Sequence, residues 1–281
     1  MATTVKLYRM PEFPKQEERI DGALKLLNLE GMRAAFRRLA QKALDNNLTP
    51  YDFLHDLLET QMSWKDENRQ EHWEKRSGSH PEMTLASFNF SFQPNLKKIE
   101  LRVKDLASCR FIERSENVIF LGQKGVGKTH LSNSLLKEAI KNGYVSLFLT
   151  LQELIENVGK TVTDKEYHDL LDKYIKLDLL IIDELSFAQT TDQSADFLFK
   201  LIYGRHEKNR STIFVSNEGF KFWDNLFKSK TKADAILDRI IERHHMFVIK
   251  GPSFRTGNNP QAGVLTTVSD IVSRKQNHQE S

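Results

Sequence analysis

Val118-Ile119-Phe120-Leu121-Gly122-Gln123-Lys124-Gly125-Val126-Gly127-Lys128-Thr129-His130 is the stretch whose reading decides the fold. A short apolar run stops at a glycine, and a G-x-x-x-x-G-K-T pattern begins at once. Small residues let successive backbone N–H groups curl around an anion. Leu131, Leu135, Leu136 and Ile140 then fall on one face of a helix. The N-terminus of that helix points at the same place and adds a partial positive charge. A strand that feeds such a loop into an amphipathic helix is a phosphate-binding loop. Gly122, Gln123, Lys124, Gly125, Val126, Gly127, Lys128, Thr129 and His130 are therefore expected to cradle a nucleotide. Lys128 would reach the β- and γ-phosphates, and the Thr129 hydroxyl would ligate Mg²⁺.

Working outward, the chain from Asn117 alternates strand and helix. Strands are predicted at 144–149, 177–182, 212–216 and 246–249, and helices at 151–158, 192–207 and 233–243. The strands are apolar throughout, which is the pattern of a parallel sheet covered on both faces. Leu179-Leu180-Ile181-Ile182 delivers Asp183 and Glu184 at a strand's C-terminal end. In an open α/β sheet that end faces the ligand crevice. Asp183 is expected to hold the Mg²⁺ shell and Glu184 to polarise the attacking water. Two acids in succession favour ATP hydrolysis over nucleotide storage. Another apolar strand ends at Asn217, which could orient the lytic water or simply serve as a turn residue.

Composition bounds the rest. The 281 residues carry 39% hydrophobic side chains and a formal net charge of +3, enough for sizeable cores and only mildly basic. No run approaches the roughly 18 apolar residues that a membrane span needs. The N-terminus lacks an apolar signal segment. A lone cysteine, Cys109, excludes an intramolecular disulfide framework and a cysteine-cluster zinc site. The compartment reads as cytoplasmic. The absence of N-K-x-D speaks against a guanine-reading pocket, and the absence of L-S-G-G-Q against a transport ATPase.

Upstream, residues 1–16 read as a loose arm and 17–80 as a small helical domain. Ile20, Leu24 and Leu27 share a face, as do Met32, Ala35, Phe36, Leu39 and Ala43. Thr49-Pro50-Tyr51-Asp52 is a helix start, and the helix beyond it is expected to bury Phe53, Leu54, Leu57, Leu58 and Met62. Residues 81–108 read as a linker, with Phe88, Phe90 and Phe92 alternating as in an extended segment. Those rings either seal one domain against the other or line an adenine pocket. Residues 109–256 form the ATPase domain and 257–281 a flexible tail. Arg33, Arg37, Arg38 and Lys42 make a basic stripe whose i,i+4 repulsion suits a polyanion, although an ordinary solvated face is the plainer reading of such a stripe alone. Lys228, Lys230 and Lys232, with Lys221, make a second basic cluster. Either would contact phosphates and read no bases.

Asn117–Arg255 resembles the AAA+ ATPases and, more narrowly, the IstB/DnaC group of transposition helpers and helicase loaders. The stretches that carry the resemblance are Glu113-Arg114-Ser115-Glu116-Asn117-Val118, Gly125-Val126-Gly127-Lys128-Thr129-His130-Leu131 and Ala235-Ile236-Leu237-Asp238-Arg239-Ile240. Ser87-Phe88-Asn89-Phe90-Ser91-Phe92-Gln93-Pro94 is similar to the linker of IstB proteins, which favours the transposition helper. The resemblance implies a P-loop parallel sheet flanked by helices, with a helical N-terminal domain. Gly251-Pro252-Ser253-Phe254-Arg255 matches the usual end of the fold, and the chain beyond it is too short for a C-terminal lid. The resemblance further implies Arg239 as an arginine finger on the neighbouring subunit's nucleotide, with Arg243 as second choice. Arg255 would reach the nucleotide, and Thr150 would hold Glu184 inactive until DNA binds. The implied activity is slow, Mg²⁺-dependent ATP hydrolysis stimulated by DNA and self-association. The implied role is to assemble on duplex DNA without sequence preference and assist a partner transposase. A helicase loader, or a nucleotide-gated scaffold with negligible turnover, is the alternative.

Overall fold

The structure is a computed structural model, and it describes residues 16–92, 94–185, 190–220 and 223–254. The chain divides after His72 into two compact units.

In the first unit, α1 (Gln16–Leu26), α2 (Glu30–Asp45) and the leading part of α3 (Pro50–Arg76) supply a small core. Met32, Ala35, Phe36, Leu39 and Leu57 are buried there, with Leu24, Leu29 and Phe53 packed against them. The helix start at Thr49 forms as expected: the Asp52 N–H donates to the Thr49 hydroxyl, and the Thr49 N–H donates back to the Asp52 carboxylate. The core is smaller than the sequence suggests. Leu54, Leu58 and Met62 stay exposed, because α1 and α2 cover only the Leu57 side of α3.

In the second unit a five-stranded parallel sheet has the order β2-β3-β4-β1-β5. The strands are β1 (Asn117–Gly122), β2 (Ser146–Thr150), β3 (Leu179–Asp183), β4 (Ser211–Ser216) and β5 (His244–Ile249). β3 and β4 are buried along their whole length, as continuous apolar runs require. On one face lie α4 (Pro94–Leu106), α5 (Arg110–Glu113) and α6 (Lys128–Lys141). The other carries α7 (Leu151–Gly159), α8 (Asp164–Lys176), α9 (Asp192–Glu207), α10 (Trp223–Phe227) and α11 (Lys230–Glu242).

Residues 81–108 do not behave as a tether. Phe90, Leu96, Val103 and Leu106 are buried in the same core as β1 and α6. The expected extended pattern at Phe88–Phe92 gives way to turns and a 3₁₀ turn at Phe90–Phe92, which buries Phe90 in the core and packs Phe88 and Phe92 against it. The sequence reading also missed α8. Its start was legible as Thr163 with Glu166 three residues on, and a capping box forms there.

Arg205 is fully buried at the N-terminal ends of the strands. It donates to the Thr212 hydroxyl and to the carbonyls of Tyr174, Leu177 and Ser211. Burial pushes its pKa down to about 9, so it stays charged at neutral pH and ties α8 and α9 to β4. Cys109 is buried, and burial pushes its thiol up to about 12, which leaves it inert as a nucleophile. Among the described residues no helix is long and apolar enough to cross a membrane.

Candidate nucleotide site

β1 ends at Gly122 and α6 begins at Lys128, so the loop between them sits at the C-terminal edge of the sheet. Gly125 and Gly127 take φ of +80° and +97°, a region that glycine alone enters freely. Both are also needed for space. A Cβ on Gly125 would lie 1.9 Å from the Ser253 Oγ, and one on Gly127 would lie 2.7 Å from the Phe88 Cε2. The loop is thus clasped from two sides, by a segment upstream of the sheet and by one just after β5. The Phe254 N–H donates to the Gly125 carbonyl (2.8 Å) and completes the clasp.

The Lys128 ammonium donates to the carbonyls of Gly122 (2.7 Å) and Gln123 (2.8 Å) and to the Asn217 Oδ1 (2.7 Å). Asn217 directly follows β4, so this contact joins the loop to the neighbouring strand's end. The Thr129 hydroxyl donates to the Asp183 Oδ2 (2.7 Å). Asp183 is buried at the end of β3, and its other oxygen accepts from the Glu184 N–H (2.6 Å). Burial pushes the Asp183 carboxyl above the usual carboxylate range; the Thr129 hydroxyl, the Glu184 N–H and the Lys128 charge oppose that rise.

Glu184 adopts φ +58°, an uncommon conformation for a glutamate and a mark of backbone strain. The turn leaves its side chain exposed, and no described residue hydrogen-bonds or pairs with its carboxylate. Thr150 lies opposite Asp183 in the register, but its hydroxyl serves as the cap of α7 and contacts Glu153. The expected Thr150–Glu184 contact is therefore not made: the capping box holds the hydroxyl on its own helix.

These groups line a cavity of about 340 Å³, within the range of small-ligand sites. Its walls combine Lys124, Gly125, Gly127, Lys128, Thr129, Asp183, Glu184 and Asn217 with Phe88, Phe92 and Phe254. Phe92 and Phe254 meet edge to face at 4.9 Å. Val126 points into the core, so only its backbone can serve a ligand. Gln123 is exposed and contributes its carbonyl. His130 turns toward the upstream segment, where its Nε2 meets the Thr84 carbonyl (2.9 Å) and the Ser87 hydroxyl (3.2 Å). Phe88 and Phe92 thus form one wall of the cavity. Phe254 was missed as a wall residue; the signal was an aromatic residue soon after the last strand.

The residues present fit a nucleoside triphosphate. The loop offers N–H donors and a lysine, while the aromatic walls offer faces for a base. Among the described residues no cluster of three or more His, Cys, Asp or Glu side chains could cage a metal. Thr129 and Asp183 fit Mg²⁺, which is commonly held by few protein groups, phosphates and water.

Arg239 lies elsewhere. It shares a cleft with Asn117 and Thr212, which stand at the N-terminal ends of β1 and β4. Six residues of β1 span about 17 Å, so Arg239 and the phosphate loop sit at opposite edges of the sheet. Arg243 is not one turn further along the same helix face as expected: α11 ends at Glu242, and Arg243 is already extended.

The basic stripe on α2 is largely neutralised within its own unit. Arg33 pairs with Asp21 and Glu30, Arg37 with Glu17 and Asp21, and Lys42 with Asp56. Arg38 is exposed and makes no ion pair among the described residues. In the second cluster Lys228 pairs with Asp192 and Lys232 with Asp196, while Lys230 is exposed. Lys221, Arg255, all of the tail and residues 1–15 of the arm lie outside the described residues, and so does the stretch that the absence of a lid concerns.

A family profile described as IstB-like ATP binding protein matches residues 22–262. A protein of insertion sequence IS21 from Pseudomonas aeruginosa, named as ATP-binding, is 34% identical over 89% of this chain and 93% of its own length. A similarly named protein of insertion sequence IS5376 from Geobacillus stearothermophilus is 32% identical over 85% of this chain and 94% of its own. Among solved structures, DnaI matches with TM-score 0.51 and 24% identity over 66% of this chain and 98% of its own. DnaA from Aquifex aeolicus, bound to AMPPCP, matches with TM-score 0.52 and 16% identity over 70% and 60%. These structural likenesses establish the AAA+ fold and nothing finer.

Proposed function

Because the chain belongs to the IstB-like ATP-binding family, we propose that it is an ATP-hydrolysing AAA+ regulator of DNA transposition. In this reading it assembles on duplex DNA with little sequence preference and presents that DNA to a partner transposase in the cytoplasm. ATP sits between subunits, and its hydrolysis resets the assembly.

One observation carries the reading: the groups for binding and the arginine for turnover lie at opposite edges of one sheet. Within a single chain the cavity holds a phosphate loop, Lys128, Thr129, Asp183, Glu184 and Asn217. Arg239, about a strand's length away, serves the nucleotide of the next subunit. Bound Mg²⁺ would be held by Thr129, with Asp183 in its outer shell, and would offset charge on the phosphate oxygens. Glu184, exposed and unpaired among the described residues, accepts a proton from the attacking water. Asn217, which holds Lys128, orients that water. Arg239 is favoured over Arg243 as the finger, because Arg243 is tied to Glu242 (3.7 Å).

Arg38 and Lys230 are the cations in the two basic clusters best placed to meet DNA phosphates, since the others described there are ion-paired. Binding through phosphates is sequence-tolerant and salt-sensitive.

The test is a fluorescence-anisotropy competition with the Glu184→Gln variant. Labelled random-sequence duplex is challenged with unlabelled single strand, in ATP or ADP. Duplex binding that needs ATP and resists single strand supports the reading. Displacement by single strand favours a loader. Absence of binding in both nucleotides shows that DNA is not the partner.

A further inference from the structure

Four side chains form a continuous array across α9 and α11. The Lys232 Nζ lies 5.4 Å over the Phe199 ring, and Phe199 stacks on Tyr203 at 6.2 Å with an interplanar angle of 18°. The Arg239 Cζ lies 4.7 Å from the centre of the Tyr203 ring. Phe199 and Tyr203 are four residues apart and so share one face of α9. Gly204 lets that helix approach α8, since a Cβ there would lie 2.6 Å from the Ile175 Cδ1.

The arginines of this cleft are held in different ways. Arg205 is buried among carbonyls, Arg210 pairs with Asp178, and Arg243 pairs with Glu242. Arg239 is held by neutral groups: the Tyr203 ring and the Ala235 carbonyl, to which its Nη1 donates at 2.7 Å. No carboxylate among the described residues pairs with it. A ring face fixes a guanidinium without cancelling its charge, whereas a carboxylate would do both. An arginine that must meet an external phosphate needs the first and is harmed by the second. Tyr203 is 39% exposed, and its hydroxyl has no partner among the described residues, so the contact uses the ring alone.

We infer that Tyr203 is a positioning residue for turnover: its ring pre-sets the Arg239 guanidinium for the nucleotide of a neighbouring subunit. The inference rests on the reading of Arg239 as a finger acting in trans. Pre-orientation of a charged group acts on the rate of the chemical step, not on ground-state nucleotide binding.

The experiment measures steady-state ATPase of the full chain with duplex DNA present. Tyr203→Leu is expected to lower kcat roughly tenfold, with KM, Tm and binding of a fluorescent ATP analogue unchanged. Tyr203→Phe is expected to match wild type. An equimolar mixture of Tyr203→Leu with Glu184→Gln is expected to regain turnover, because Glu184→Gln subunits bring well-placed arginines to active sites that keep Glu184. Tyr203→Met replaces the leucine variant, with the same expectations, should that one fail to fold. Wild-type kcat in Tyr203→Leu, beside a loss in Arg239→Ala, overturns the role of Tyr203 and leaves the finger standing. A loss in Tyr203→Leu that the mixture does not restore makes the residue structural and also overturns it. Wild-type turnover in Arg239→Ala removes the finger itself, and the role of Tyr203 with it.

Discussion

The phosphate edge of the sheet and the basic stripe on α2 were both read from residue patterns, yet they come out differently. At the sheet edge, Lys128 meets Asn217 and Thr129 meets Asp183, so the loop and the ends of two further strands converge. On α2, three of the four cations are taken up by carboxylates of α1, α2 and α3. The difference lies in what fixes each feature. The loop is set by backbone geometry: glycines at positive φ, a strand before and a helix after. A charge stripe is set by nothing local, and its meaning depends on which acids the tertiary fold brings alongside. A glycine–lysine motif therefore survives into three dimensions more reliably than a run of arginines does.

The largest expected effect tests whether the converging edge is a hydrolytic site. Glu184→Gln is expected to lower the ATPase rate by about 10²–10⁴, the usual range for a lost general base. The variant should still bind a fluorescent ATP analogue, because Glu184 supports neither Lys128 nor Asp183 through its side chain. Wild-type turnover in this variant would move the base to another residue.

Next comes the geometry of the loop itself. Gly127→Ala places a Cβ against Phe88 at a φ of +97°. Strain of this kind costs of order 1–3 kcal/mol, so nucleotide affinity and thermal stability should both fall. Adding Phe88→Leu removes the steric part but leaves the φ strain, so recovery should be partial. Full recovery, measured by ATP-analogue titration and melting, would show that sterics alone make the glycine necessary.

Asp183→Asn separates stability from function at the same edge. Burial raises the native pKa of Asp183 above its unfolded value of about 3.9, so the native state binds the proton more tightly. Stability should therefore fall as pH rises through that window, with the full penalty present above it. Without nucleotide, Asp183→Asn should melt a few degrees higher than wild type near neutral pH, and the gap should close in acid. With Mg²⁺ and ATP the order should reverse, since wild type gains more from the metal. A variant that melts lower without nucleotide would mean that the Thr129 bond outweighs the buried charge.

The degree to which each part was legible obeys the same rule. The strands, the loop and the Asp183–Glu184 pair were readable because each is specified by a few adjacent residues. The aromatic wall was only half readable: Phe88 and Phe92 stood out, but Phe254 reaches the cavity from the far end of the chain. Residues 81–108 read as a linker because Phe88, Phe90 and Phe92 alternate with polar residues as in an extended segment, yet each of Phe90, Leu96, Val103 and Leu106 is buried. Thr150 shows a local rule winning over an expected long-range contact: Glu153, three residues on, captures its hydroxyl. Arg205 and Arg239 make the point most directly. Both sit on helices lining one cleft, and only the fold distinguishes the buried tie from the half-buried arginine held on a ring.

The smallest expected effect addresses the stripe. If α2 meets DNA phosphates, Arg38→Ala should weaken duplex binding uniformly across sequences and lower the salt slope by about 1. Arg33→Ala should leave that slope unchanged, because Arg33 already shares its charge between Asp21 and Glu30 and has few counterions to release. Equal slopes in the two variants would show that the ion pairs open on DNA. The stripe would then act as a whole, and its charge pattern would have been a sound guide after all. No change in either variant would place the DNA contacts on another surface, with Lys230 the first residue to replace.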